Sequence, residues 1–362
     1  MTKLQTRRSG WFRLRVSRVE SLLADTVAVT LHVPAELAAV FTAEPGRHVV
    51  VRHRPSGGRE VRRAYSVCPP PDAPGALRLV IRRHSPDGFG VYAGTVLAPG
   101  DEVELSPPTG RFGLPATPGA HQVLIAGGTG ITPLAAMAAG ALRRSPSCRV
   151  SLVHAVRTSS TALLADELAS LKDEFVDRFT VLYVLSRERR ESGLFTGRID
   201  RERLLRLLTL VDARADDTTA FSLCGPVGLV ETARTTLAGW GVRPDRVCWE
   251  VFSAAEPDPH APVLRGRDAP AGRVRALIGG RSTVVAMEPG DQVVLDPVLR
   301  ARPEVPYACR DGVCGSCRAK VVAGSVSLGR QHALDDRDLA AGYTLACRAR
   351  PRTDDITLDF DA

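Results

Sequence analysis

Lysine is almost absent from this chain of 362 residues: its 48 basic residues include only Lys3, Lys172 and Lys320, and the rest are arginine. There is no lysine-rich tail, and aromatic residues make up only 5%. The basic, aromatic-interleaved footprint of a nucleic-acid binder is therefore missing despite a formal charge of +8. The first ten residues are polar with no apolar stretch behind them, so no secretory signal is expected and the chain is read as cytoplasmic. The run 122–142 carries no charge, but Gly127-Gly128-Thr129-Gly130-Ile131-Thr132-Pro133 breaks it into strand, glycine turn and helix, and no membrane span is expected. No internal repeat suggests a solenoid. The eight cysteines form no disulfide framework: Cys68, Cys148, Cys224 and Cys248 are scattered through apolar, strand-like surroundings, where cysteine acts as a small hydrophobe.

What remains is a globular composition, 44% hydrophobic and 24% charged, long enough for two or three domains. Residues 11–116 read as short strands punctuated by proline and glycine (27–33, 48–54, 64–68, 77–83 and 102–105), the pattern of an antiparallel β-barrel. From 117 to 253 buried strand runs (122–126, 149–155, 180–185, 220–223 and 246–252) alternate with helical stretches such as 161–174 and 201–208. That alternation predicts an α/β doubly wound parallel sheet. Residues 254–272, rich in proline, alanine and charge without periodicity, read as a linker. A third domain, 273–362, follows, with strands at 274–278, 282–287 and 356–360.

The other four cysteines lie in that third domain: Cys309, Cys314, Cys317 and Cys347, spaced C-x4-C-x2-C-x29-C. This is the plant-type ferredoxin spacing for a 2Fe-2S cluster. Structural zinc sites instead use two C-x2-4-C pairs on separate knuckles, whereas here a single loop supplies three ligands. Gly312 and Gly315 let backbone amides approach the cluster sulfurs.

Arg63-Ala64-Tyr65-Ser66 resembles the R-x-Y-S flavin signature of the ferredoxin-NADP reductase superfamily. The chemistry suits a flavin: an arginine fork for a pyrophosphate, a ring to stack on the isoalloxazine, and a hydroxyl near its N5. Alone, in a half-buried strand, these four residues would be unremarkable. The glycine segment 127–133 departs from G-x-G-x-x-G but resembles the superfamily's nicotinamide-nucleotide turn, with Thr132 and Pro133 as N-cap and first helical residue. Cys224-Gly225-Pro226 ends the fourth strand of the sheet, where the superfamily carries C-G-P beside the nicotinamide; a buried strand cysteine explains it equally well. Glu250 and Phe252 inherit flavin-side roles from the closing strand, although strand packing also accounts for Phe252. Arg157 stands where NAD-type sites place a carboxylate, and Ser186-Arg187-Glu188 resembles the S-R-E of NADP-dependent members, so NADPH is favoured over NADH.

The order of flavin barrel, nucleotide sheet and ferredoxin resembles the reductase components of multicomponent oxygenases, most closely those of phenylacetyl-CoA oxygenases, with steroid hydroxylase and desaturase reductases sharing the layout. The resemblance implies an α+β (β-grasp) ferredoxin domain, FAD rather than FMN held partly through Gly88 and Gly90, and Ser66, Cys224 and Glu250 at the catalytic centre. A nicotinamide gives up two electrons together, a cluster takes one, and a flavin does both, so the implied path runs from NADPH through FAD and the cluster to an oxygenase or hydroxylase protein. Other readings are a redox-sensing flavoprotein and a stand-alone flavin reductase. A monomer without nucleic-acid or membrane partners is expected. Two departures stand out. Gly90 lacks the hydroxyl usual in the pyrophosphate loop, so Gly90→Ser is expected to tighten FAD, and Arg47 replaces the glutamine of P-G-Q-H before His48. Arg310 and Asp311, at the tip of the cysteine loop, are expected to meet the acceptor first.

Overall fold

A computed structural model describes residues 10–42, 44–55, 60–70, 72–73, 76–83, 88–114, 121–253 and 272–362. The linker expected at 254–272 falls outside them except for Gly272, as does the boundary expected between 116 and 117. One compact unit spans Phe12–Ser253, and residues 272–362 belong to another.

The first unit begins with strands β1 (Phe12–Leu23) and β2 (Thr26–His32), the short helix α1 (Ala38–Phe41), and strands β3 (His48–His53), β4 (Val61–Ser66) and β5 (Leu77–Arg82). Helix α2 (Phe89–Thr95) and strand β6 (Glu102–Leu105) follow. The strands form one antiparallel sheet in the order β4-β3-β6-β1-β2-β5, and a bridge between Val67 and Leu79 joins its two ends into a barrel. Its interior holds Val29, Leu79, Ile81 and Leu105, none of them exposed. Strand β1, absent from the sequence reading, shows the expected alternation: Leu14 and Val16 face the core and alternate with the outward Arg13, Arg15 and Ser17.

Next come β7 (His121–Gly127), α3 (Ile131–Arg144), β8 (Arg149–Val156), α4 (Ala165–Glu174), β9 (Phe179–Leu185), α5 (Arg201–Leu210), β10 (Thr219–Pro226), α6 (Val227–Gly239) and β11 (Val247–Ser253). The five strands are parallel in the order β11-β10-β7-β8-β9. Strand order reverses between β7 and β10, so the crevice at their carboxyl ends is the place for a ligand. The uncharged run 122–142 resolves into β7, a single 3₁₀ turn and α3. Among the described residues no helix is long and apolar enough to cross a membrane.

Barrel and parallel sheet share one core, to which the barrel contributes Cys68, Val80 and Phe112. Arg78 of β5, 2% exposed, reinforces the junction. Its Nε donates to the Cys68 carbonyl at 2.7 Å, and its two terminal nitrogens fork onto the Glu167 carboxylate of α4, each at 2.8 Å.

The second unit contains β12 (Arg273–Ile278), β13 (Arg281–Ala286), α7 (Leu295–Ala301), β14 (Arg318–Ala323), β15 (Val326–Leu328), α8 (Asp336–Ala340), β16 (Tyr343–Leu345), β17 (Ala349–Pro351) and β18 (Asp355–Asp359). A mixed sheet runs β13-β12-β18-β14-β16, with β12 and β18 parallel at its centre, and β15 pairs separately with β17. Leu295 and Val298 of α7 pack with Val274 and Ala276 of β12 and Leu358 of β18, giving the β-grasp arrangement.

Candidate active site and cluster site

The carboxyl edge of the parallel sheet gathers most of the residues singled out above. Gly127 ends β7, residues 128–130 form the 3₁₀ turn, and α3 starts at Ile131. The N-cap is Gly130, and no side chain caps the helix, although the Ile131 amide is taken by the Gly128 and Thr129 carbonyls of the 3₁₀ turn. This corrects the expected cap at Thr132. The 3₁₀ turn has already wound the chain before the threonine, which lies inside α3 and donates its hydroxyl back to the Thr129 carbonyl at 3.0 Å. Pro133 is consequently the third helical residue; it is tolerated there because first-turn amides have no intrahelical acceptor. A Cβ on Gly130 would lie 2.2 Å from the carbonyl oxygen of Cys224, so the turn seats directly on the end of β10.

Cys224 is fully buried and pairs in register with Ala126 on one side and Glu250 on the other, and Gly225 and Pro226 complete the strand. Burial, with Glu250 beside it, pushes the Cys224 thiol well above its usual range. At neutral pH it is a compact, neutral wall. Burial also raises the Glu250 carboxyl to about 8. Across from it stands His48 of β3, 4% exposed, with Nδ1 3.8 Å from Glu250 Oε1. Burial, then Arg47, pull the imidazole down to about 4. The pair therefore meets as carboxylic acid and neutral imidazole near pH 7. His48 pairs in register with Ser66, the last residue of β4.

Both ring nitrogens of His48, the Ser66 hydroxyl and Glu250 Oε2 are buried without a hydrogen-bond partner. Unpaired buried polar atoms are costly, and four of them around one barrel–sheet junction fit a polar heterocycle held there. Upstream in β4, Arg63 is exposed and uses one guanidinium nitrogen on the neighbouring Arg62 carbonyl at 2.9 Å, Ala64 is half-buried, and Tyr65 sits with its ring 6.0 Å from that of Phe89. Burial raises the Tyr65 phenol above its usual range. Phe252, half-buried, packs against the shared core.

Two departures noted in the sequence acquire physical reasons. Arg47 donates a guanidinium hydrogen bond to the Gly110 carbonyl, so its charge is committed to a neighbouring loop. Gly88 is the N-cap of α2, and Gly90, inside its first turn, is buried against β5, where a Cβ would lie 2.6 Å from the Arg82 carbonyl oxygen. The missing hydroxyl is thus a steric requirement, and the expectation that Gly90→Ser tightens FAD is reversed. The variant is expected to lose about 1–3 kcal/mol of stability and part of its flavin, read from a thermal melt and the flavin-to-protein ratio after gel filtration.

Farther along the edge, Arg157 follows β8, and Ser186 and Arg187 follow β9. All three are exposed, and neither guanidinium meets a hydrogen-bond or ion-pair partner among the described residues.

In the second unit the four cysteines form two sulfur pairs. The Cys314 thiol bonds Cys309, and the amides of Val313, Asp311 and Cys314 also point at Cys309, the Asp311 nitrogen at 3.4 Å; together they hold that thiol below its usual range against the opposing effect of burial. Cys317 pairs with Cys347. Among the described residues no three His, Cys, Asp or Glu converge as a single metal ion requires. Two pairs fit two irons, and the buried Ser316 hydroxyl lies against Cys314. Arg310, Gly312 and Gly315 wind the loop with φ of 61°, 75° and 68°. The Arg310 guanidinium is held by Asp296 of α7, whereas the exposed Asp311 carboxylate meets no partner among the described residues.

Three family models match the chain in this order: an oxidoreductase FAD-binding domain over 13–113, an oxidoreductase NAD-binding domain over 124–235, and a 2Fe-2S iron-sulfur cluster binding domain over 277–352. One of the polypeptides of 1,2-phenylacetyl-CoA epoxidase from Escherichia coli is 34% identical over 96% of this chain and 97% of its own. The chain belongs to the family of oxygenase reductase components. The ferredoxin reductase component of 3-ketosteroid-9-alpha-monooxygenase from Rhodococcus rhodochrous is 33% identical over 96% of both chains. The solved structure of phthalate dioxygenase reductase superposes with a TM-score of 0.62 at 24% identity, covering 97% of this chain and 98% of that one, which shows the shared fold. The reductase is thus an NAD(P)H-dependent oxidoreductase with FAD, nicotinamide and 2Fe-2S domains. Sequence reasoning missed His48 as a site residue. It stood in view in the Pro45-Gly46-Arg47-His48 segment, but only the barrel fold reveals that its side chain turns inward opposite Glu250.

Proposed function

We propose that this reductase draws electrons from NADPH and passes them, through FAD and the 2Fe-2S cluster, to an oxygenase component acting on an acyl-CoA ester. The observation that carries the reading is the junction of barrel and sheet, where unpaired His48, Ser66 and Glu250 atoms adjoin Cys224 and the uncapped start of α3. A bound flavin accepts two electrons at once from a nicotinamide and releases them singly to an iron-sulfur cluster. Arg63 would hold the FAD pyrophosphate, Tyr65 would cover the ring, and Gly88 and Gly90 would let the backbone approach. Ser66, Cys224 and Glu250 border the reacting edge, with the thiol as a dry wall and the neutral carboxyl able to hold or give a proton. His48 is held too far below Glu250 to take its proton, and its neutral imidazole would instead offer unpaired ring nitrogens for hydrogen bonds to the bound flavin.

Residues 127–130 together with Thr132 and Pro133 would receive the nucleotide phosphates, Gly225 and Pro226 would flank the nicotinamide, and Phe252 would close the flavin side. Arg157, Ser186 and Arg187 would bind the 2′-phosphate of NADPH; two arginines without partners among the described residues suit a dianion, and Arg157 occupies the place of the carboxylate that would take the ribose hydroxyls. Cys309 and Cys314 would hold one iron, Cys317 and Cys347 the other. The identity to the phenylacetyl-CoA epoxidase polypeptide supports the acyl-CoA oxygenase as acceptor. Cysteine ligands and free thiols suit a reducing compartment, and we assign the reductase to the cytoplasm. Arg187→Ala is expected to raise KM for NADPH about tenfold or more and to leave KM for NADH nearly unchanged, because it removes a charge-assisted contact to the 2′-phosphate alone. Equal changes for both nucleotides, or a wild type that prefers NADH, contradict the assignment.

A further inference from the structure

The loops leaving β8 and β9 carry the two arginines assigned to the 2′-phosphate, and what fixes their separation is not a contact of their own side chains. Backbone pairing continues past both strand ends: the Ser186 amide donates to the Val156 carbonyl at 2.9 Å, and the Arg187 amide to the Arg157 carbonyl at 2.8 Å. The next residue, Glu188, then reaches across to the β8 loop. Its Oε2 accepts from the Ser159 amide at 2.7 Å and from the Ser159 hydroxyl at 2.9 Å, while Oε1 lies 3.8 Å from Arg190. Ser159 opens a 3₁₀ turn, Ser159–Thr161, braced by a capping box from Thr158. The Ser159 amide and hydroxyl hold the Glu188 carboxyl below its usual range. One carboxylate therefore staples the β9 exit to the β8 exit, one residue beyond Arg187 and two beyond Arg157.

We propose that Glu188 is a positioning residue for the 2′-phosphate: by tying its own loop to Ser159 it braces the chain just beyond the backbone bond that joins Arg187 to Arg157, steadies both arginines, and so strengthens the preference for NADPH over NADH. This rests on the reading of those arginines as 2′-phosphate ligands. Electrostatics alone predicts the opposite sign, since removing a carboxylate from beside a phosphate site should tighten the phosphate. The staple outweighs that gain because two guanidinium groups act together only when both loops are steady, and loosening the segments beyond the Arg187–Arg157 backbone bond costs ordering that binding would then have to supply.

The test uses the holoprotein with 2′,5′-ADP and 5′-ADP as probes, binding of each being measured by calorimetry, together with KM for NADPH and NADH. Glu188→Ala is expected to weaken 2′,5′-ADP about five- to tenfold and to raise KM for NADPH by a similar factor, with 5′-ADP and KM for NADH unmoved. Glu188→Gln, which still offers Ser159 an acceptor oxygen, should retain most of the wild-type preference. Ser159→Ala should add little to the defect of Glu188→Ala when the two are combined, as expected for two ends of one staple. Unchanged or tighter 2′,5′-ADP binding in Glu188→Ala overturns the positioning role while leaving the arginine assignment standing. A wild type that binds the two probes equally overturns the 2′-phosphate reading itself, and the staple's role with it.

Discussion

Cys314→Ser is expected to yield a protein that still oxidises NADPH with a small dye at close to the wild-type rate but has lost its 2Fe-2S absorbance and all electron delivery to a protein acceptor. The sulfur removed is half of the Cys309–Cys314 pair, and a serine oxygen is a harder and shorter replacement for an iron ligand. The loss should be confined, because the cysteines lie in a compact unit separate from Phe12–Ser253, which carries both the flavin and the nucleotide domains. Visible spectra, iron content and parallel assays with a dye and with cytochrome c read the two halves of the path independently. If dye reduction collapses equally while flavin remains bound, the cluster does not lie downstream of the flavin.

Gly130→Ala attacks the opposite end of the path. Its Cβ would meet the Cys224 carbonyl oxygen at 2.2 Å, and because that atom is backbone, no side chain can swing aside to relieve the clash. The 3₁₀ turn and the end of β10 must separate at the point where strand order reverses, which misplaces the nucleotide and the Cys224 wall together. A displacement of this kind, near 1 Å, costs about 10²-fold in rate. Here kcat/KM for NADPH should fall by about that factor with dye and protein acceptors alike, while the cluster absorbance persists and dithionite still reduces the cluster. Wild-type turnover in this variant would remove the glycine turn from the nucleotide site.

The nucleotide sheet was legible because its central strands β7, β8 and β10 are buried on both faces and the half-buried edge strands β9 and β11 keep apolar runs, so their positions in the sequence lie within a few residues of those in the structure. β1 escaped notice because its charged residues interrupt every apolar run, although its inward Leu14 and Val16 keep a strict alternation. The elements around the cysteines, β14 to β17 with α7 and α8, were not readable. They run three to seven residues, too short to show a period, and are held by the packing around Leu295, Leu345 and Ala346 rather than by local propensity.

The motifs supplied residue types but not their company. Nothing in the order of residues says that His48 and Glu250, 202 positions apart, share a buried space, or that Gly90 is glycine because the Arg82 carbonyl leaves no room for a side chain. The S-R-E segment was read for its arginine, and the glutamate's bond to Ser159 became visible only with the two strand exits side by side. Arg310 looked like a free charge until Asp296 of α7 was seen to hold it. A charge reversal at Asp311 alone is therefore the cleaner probe of acceptor docking.

The relay from nicotinamide to flavin to cluster is tested most directly by mixing the holoprotein with NADPH in the absence of oxygen and following flavin absorbance alongside the electron paramagnetic resonance signal of the reduced cluster. The flavin band should bleach first, and the cluster signal should then grow in full with no other reductant present. A flavin that bleaches while the cluster stays oxidised until dithionite is added would contradict the relay.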